Sequence, residues 1–134
     1  MTNPSPQDAG IVLFAHGSRD PAWRAPIEAV AQRMRELSPH AQVRCAYLEW
    51  TEPDLPATVA QLMAEGVRHI TVWPMFLGTG RHAREDLPLL LQQLREQHPG
   101  MAFELKPAIA EHPQVLTTMA LAALGVAHDG AAAP

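Results

Sequence analysis

The chain has 134 residues, 47% apolar and 18% charged, with a formal net charge of −4 and one cysteine, which fits a single globular domain with a core of its own. The acidic balance argues against nucleic acid or an anionic membrane as the main partner, since both demand a basic face. Cys45 as the sole cysteine rules out a disulfide framework or a cysteine metal cluster and suits a reducing cytoplasm, with a buried strand position as its plainest reading.

Residues 1–9 are polar and proline-bearing, with no basic stretch leading into an apolar one, and read as a flexible tail rather than a signal peptide. No apolar run approaches the ~20 residues of a membrane span. Ile11-Val12-Leu13-Phe14 is a continuous apolar run of the kind expected for a strand buried on both faces. It ends at Ala15-His16-Gly17-Ser18. Ile27, Val30, Ala31, Met34 and Leu37 then recur at helical spacing up to Ser38-Pro39, with Pro21 and Pro26 leaving the start of that helix open. Val43 to Leu48 reads as a second strand and Glu49 to Pro53 as a loop. Leu55, Val59, Leu62 and Met63 form a helical face, with Gly66 as its C′ residue. Ile70 to Phe76 is a third strand, followed by the loop Leu77-Gly78-Thr79-Gly80-Arg81-His82 and the leucines 87, 90, 91 and 94. Ala102 to Lys106 is a fourth, followed by Glu111-His112-Pro113 and a helical pattern at Val115, Leu116, Met119 and Ala123. Residues 126–134 read as a second flexible tail. Four successive strand–helix pairs predict an α/β domain, a four-stranded parallel sheet with helices on both faces.

Each of His16, Glu49 and His82 follows a predicted strand, and each lies 33 residues from the next, about the length of one βαβ unit. All three therefore fall on the carboxyl edge of the sheet, where open α/β sheets bind ligands. If strands one and three are neighbours, about 4.8 Å apart, His16 and His82 can reach one small atom. Neutral imidazole suits divalent iron, cobalt, nickel and zinc, and a carboxylate can complete a partly open site. The same groups without metal can accept protons near neutral pH. For any one of seven histidines, a solvated loop position is the plainer reading.

His16-Gly17-Ser18-Arg19-Asp20-Pro21, Tyr47-Leu48-Glu49, Pro74-Met75-Phe76-Leu77 with Gly80 and His82, and His112-Pro113, each after a predicted strand, together resemble the short-form sirohydrochlorin chelatases, the CbiX-type class II chelatases. The similarity covers residues 11 to about 124 in order. It implies a small flavodoxin-like domain, residues 10–125, and insertion of cobalt or iron into sirohydrochlorin on the route to cobalamin or sirohaem. It also implies a homodimer. No cofactor would be permanently bound: the divalent metal, Co2+ or Fe2+, is a substrate. Position by position, the family's metal-handling histidines match His16 and His82, and its acidic partner matches Glu49. These three would hold metal and move protons.

A broad apolar macrocycle with a carboxylate rim is the substrate this implies. Trp50, Met75, Phe76 and Leu77 can cover its face, the second and third of them being equally suited to the core. Arg19, Arg81 and Arg84 flank the histidine loops and can grip carboxylates in bidentate fashion. Ser18 and Gly80 lie on the same loops, with Ser18 equally able to cap a helix. Glu52 reads as a helix-start residue. His40, His69 and His98 belong to the opposite edge of the sheet and His128 to the tail, while the role of His112 stays open between a site residue and helix punctuation. Histidine phosphatases want an arginine before the histidine, where this chain has Ala15. No glycine-rich phosphate loop is present. The rival from another class is a non-catalytic metal or tetrapyrrole carrier on the same fold.

Overall fold

The computed structural model describes residues 8–78 and 80–126, and for residues 82 and 83 the backbone alone. Its sheet consists of β1 (Ala9–Ala15), β2 (Gln42–Tyr47), β3 (His69–Pro74) and β4 (Ala102–Leu105). The strands are all parallel, in the order β2-β1-β3-β4. The helices are α1 (Ala25–Leu37), α2 (Leu55–Ala64), α3 (Arg81–Gln97) and α4 (Pro113–Leu124), with short 3-10 turns at Pro21–Arg24 and Ile109–Glu111. The predicted α/β class and the pairing of strands one and three hold: Phe14 lies opposite Pro74 of β3, while on the other side of β1 Ala15 lies opposite Tyr47 of β2.

Strand β1 is paired on both sides, so its apolar residues serve both faces of the sheet. On one face, Val12, Phe14, Ile70, Val72 and Phe103 pack with Leu55, Val59 and Leu62 of α2 and with Leu87, Leu91 and Leu94 of α3. On the other, Leu13 and Val43 pack with Ala31 of α1, flanked by the half-buried Ile27, Met34, Cys45 and Trp73. The two prolines near α1 divide the labour. Asp20 accepts a hydrogen bond from the Ala22 N–H at 3.0 Å to start the 3-10 turn at Pro21, and Pro26 occupies the first turn of α1, where its missing N–H costs nothing. Gly66 takes the left-handed φ of 95° expected of a C′ residue. At α2 the cap is Asp54, whose carboxylate accepts from the Ala57 N–H at 2.9 Å, so Glu52 lies outside the helix start expected of it.

Two apolar expectations are corrected. Val30 and Leu37 of α1 are exposed, because α1 turns only its Ile27–Ala31–Met34 line to the sheet. More consequential, α4 has no buried residue, and Leu116, Met119 and Leu124 are 56%, 39% and 75% exposed. Its main contact inside the domain is the turn Ile109–Glu111. On the α1 side of the sheet, meanwhile, the half-buried Trp73 of β3 borders the α1 core and meets His112 and Lys106 at 6.2 and 5.7 Å. The periodicity of α4 reflects apolar residues that stay exposed among the described residues.

Tyr47, the only tyrosine, is 2% exposed, and its hydroxyl has no hydrogen-bond partner among the described residues. Burial, with smaller contributions from Cys45 and Glu28, pushes its phenol up to about 12. A pH titration followed at the tyrosinate absorbance is therefore expected to stay flat in the folded protein well past pH 10 and to show the ordinary midpoint near ~10 once unfolded. The neutral phenol is favoured by the fold, so this group withdraws stability as pH rises between those two values.

Candidate active site at the carboxyl edge of the sheet

Strand order reverses at β1: the chain leaves β1 towards β2 on one side and reaches β3 on the other. The crevice between β1 and β3 is thus the topological switch point, where ligands enter open α/β sheets. His16 follows β1 directly. Met75 extends the pairing one residue past β3, its N–H donating to the Phe14 C=O at 2.7 Å. That brings Phe76 beneath the histidine: the His16 and Phe76 rings stack with centroids 4.3 Å apart and planes 25° apart. Phe76 itself is buried and meets Phe14 edge-on at 6.5 Å. An exposed imidazole therefore rests on a ring fixed by the core, which restricts its orientation while leaving its nitrogens towards solvent.

Glu49 arrives from β2. Its N–H donates to the His16 C=O at 3.0 Å, one step beyond the Leu48 N–H to Ala15 C=O bond at 2.9 Å, so the two segments stay hydrogen-bonded past the end of the sheet. The chain then reverses: the Thr51 N–H donates to the Glu49 C=O at 2.8 Å around Trp50, whose φ is 65°. That is a γ-turn of the rare kind with a left-handed centre, and a tryptophan is an uncommon residue to hold it. The Glu49 carbonyl points into the space beside Gly17, where a Cβ would sit 1.7 Å from it. Gly17, at φ 95°, is thus required on two counts, conformation and space.

The remaining expected residues fall around these loops. The Ser18 N–H donates to the Thr51 Oγ1 at 3.0 Å, and its own Oγ accepts from the Asp20 N–H at 3.1 Å. The Arg19 guanidinium lies 4.0 Å above the Trp50 ring, both side chains being exposed, so the two together form a planar cationic shelf. Leu77 is 79% exposed, Met75 is half-buried against the α1-side core, and Gly80 precedes α3 as its N-cap. Arg81 pairs with Glu85 at 3.2 Å on the helix surface, a weak, solvated bridge that leaves it available. His82 lies not on the loop but in the first turn of α3; its side chain is outside the described residues. His112 has a structural duty: its Nδ1 accepts from the Gln114 N–H at 3.2 Å and caps α4.

Two clefts flank the switch point. One, of about 610 Å3, opens beside the γ-turn and is lined by Glu49, Trp50, Glu52 and Asp54 among others. The other, of about 360 Å3, lies between the β3 and β4 loops, with Pro74, Leu87, Pro88 and Leu105 for walls and Arg84 and Lys106 as its cations. Sequence reasoning passed over Lys106 and Thr51. Lys106 stands just after β4 and donates to Glu104 at 2.8 Å, holding that carboxyl below its usual range. Thr51 becomes legible only once residues 33 apart are seen to touch.

A doubly wound parallel sheet with its strand order reversing at β1 defines a small flavodoxin-like domain of the α/β class. The sequence model of the CbiX family matches residues 10–122, and the chain belongs to that family. It is 34% identical over 89 residues to the sirohydrochlorin cobaltochelatase of Methanococcus aeolicus, a match covering 66% of this chain and 62% of that protein. It is 25% identical over 107 residues to the chloroplastic sirohydrochlorin ferrochelatase of Arabidopsis thaliana, covering 80% of this chain and 48% of the relative. The chain thus spans less than two thirds of the length of these two relatives. The crystal structure of a CbiX protein from Marinobacter aquaeolei VT8 superposes with a TM-score of 0.76 at 32% identity, covering 87% of this chain and 94% of the other.

Proposed function

We propose that the chain is a metal chelatase, a lyase that inserts Co2+ or Fe2+ into sirohydrochlorin or a closely related tetrapyrrole in cobalamin or sirohaem biosynthesis, working in the cytoplasm with residues 10–125 as its catalytic domain. The observation that carries this reading is His16 at the β1/β3 switch point of a CbiX-family domain, seated on Phe76 and joined through its own carbonyl to the Glu49 loop. Metal insertion exchanges one divalent cation for two pyrrole N–H protons. Groups that are neutral or anionic near pH 7 and exposed at a ligand edge are what that exchange needs. His16 and His82 take up the metal and accept the protons, and Glu49 balances the charge. One imidazole nitrogen cannot hold metal and proton together, so the roles alternate or are divided between the two histidines.

The Arg19–Trp50 shelf offers the macrocycle a flat contact, with the exposed Leu77 across the crevice, while Phe76, expected to cover the macrocycle, is buried beneath His16 and supports the imidazole instead. Arg81, Arg84 and Lys106 are cations for its carboxylate rim. No other cofactor takes part. Pairing with a second copy of the chain is supported by the exposed apolar residues Leu116, Met119 and Leu124 of α4, since apolar surfaces of this kind mark association sites.

The test is a spectral assay of sirohydrochlorin with Co2+, Fe2+ and other divalent metals, using protein well below substrate. Repeated turnover above the metal-only rate is the expected result. A spectral change that stops at one equivalent of protein identifies a carrier and sinks the enzyme.

A further inference from the structure

From the geometry we infer that Thr51 is a positioning residue, whose hydroxyl latches the loop bearing His16 to the loop bearing Glu49; this rests on the chelatase reading above. The Thr51 Oγ1 accepts from the Ser18 N–H at 3.0 Å and donates to the Ser18 C=O at 2.9 Å. A single hydroxyl thereby uses both of its capacities on one residue 33 positions away. It does so one residue past the strained turn. Trp50 at φ 65° and the Thr51 N–H to Glu49 C=O bond make a conformation that the chain leaves unless something outside it holds both ends. One end is held where the Glu49 N–H meets the His16 C=O at 3.0 Å. The other is held by Thr51 on Ser18. Between the two anchors the Glu49 carbonyl is seated against Gly17, where a Cβ would lie 1.7 Å away, so the loops approach at backbone distance with no side chain to act as a spacer.

The latch has a chemical consequence. His16 and Glu49 each stand two residues before the residues that it clamps, Ser18 and Thr51, so releasing it moves the proton-accepting imidazole relative to the carboxylate. It also lets Trp50 leave the left-handed region, which would take the indole off the Arg19 guanidinium that lies 4.0 Å above it. Thr51 touches neither metal nor macrocycle in this role. It acts through Ser18, Trp50 and the two loops.

Thr51→Val keeps the shape and removes the hydroxyl; Thr51→Ser keeps the hydroxyl. Thr51→Val is expected to lower kcat about ten- to a hundred-fold with KM changed less than about three-fold, the signature of lost alignment. Thr51→Ser is expected to restore kcat to within about three-fold. Hydrogen exchange of the Ser18 amide reads the latch without any turnover: slow in the wild type and in Thr51→Ser, and at least about ten-fold faster in Thr51→Val. Unchanged kcat in folded Thr51→Val overturns the inference, as does a Thr51→Ser variant no better than Thr51→Val, or a Ser18 amide that exchanges at the rate of an open chain in the wild type. If Thr51→Val does not fold, Thr51→Ser and the wild-type exchange rate decide between the same two answers. A wild type that turns over no metal refutes the chelatase reading alone, and the exchange data still judge the latch.

Discussion

His16→Ala is expected to remove the protein-dependent part of metal insertion, a loss of ~100-fold or more in kcat/KM if its imidazole accepts a pyrrole proton in the rate-limiting step, while leaving the fold intact. The two magnitudes separate cleanly. His16 is exposed, and its ring contributes one stacked contact on Phe76, worth ~0.5–1.5 kcal/mol. Phe76 has its own edge-on contact with Phe14, which does not depend on the imidazole. A melting temperature within a few degrees of wild type, combined with a rate equal to the metal-only control, is therefore the expected pair of measurements. His82→Ala is expected to give the same loss of rate. Binding of Co2+ by each variant, titrated separately, then tells the two histidines apart: the variant that loses affinity has lost the metal ligand, and the one that keeps it has lost the proton acceptor. A rate unchanged in both variants would remove the site from the β1/β3 crevice altogether.

The sequence carried the architecture because its signals were ones that backbone physics makes rigid. Four apolar runs too short for helices, each followed by a helical pattern, admit few arrangements besides a parallel sheet, and the position of His16 at its carboxyl edge follows from that alone. The apolar line of α3, Leu87, Leu90, Leu91 and Leu94, was legible for the same reason and is packed as expected. The pattern of α4 was equally regular, yet its residues are exposed. Periodicity reports that a helix has an apolar face and is silent on what the face meets. His82 shows a different limit. Its residue type and spacing were visible, but whether it stood in the loop or in the first turn of α3 depended on where the helix starts, the boundary at which sequence signals are weakest. Thr51 and Trp50 were least legible. Nothing about a threonine predicts that it will bind a serine 33 residues away, and an aromatic residue gives no warning of a positive φ. Both features exist because the β1 and β2 loops meet at backbone distance, and that distance is announced only by Gly17.

Gly17→Ala is accordingly expected to be the most damaging single substitution outside the core. A left-handed backbone costs a residue with a Cβ ~1–2 kcal/mol by itself. Here the added carbon would also lie 1.7 Å from the Glu49 carbonyl oxygen and 2.9 Å from its carbon. These are backbone atoms held at both ends, by the Glu49 N–H to His16 C=O bond and by the γ-turn bond to Thr51, so no side chain can swing aside to relieve the contact. The loops must part, and with them go the Thr51–Ser18 hydrogen bonds. A total of ~3 kcal/mol or more follows, which for a domain of this size lowers Tm by roughly 10 °C. Activity should fall further than stability explains, because the carboxylate and the imidazole separate even in molecules that stay folded. Assaying Gly17→Ala at a temperature where circular dichroism shows it fully folded isolates that component: a folded Gly17→Ala protein with wild-type turnover would mean that the spacing of these two loops is irrelevant to the chemistry, whereas a folded protein with Co2+ affinity retained and turnover lost ties catalysis to the approach of Glu49 to His16.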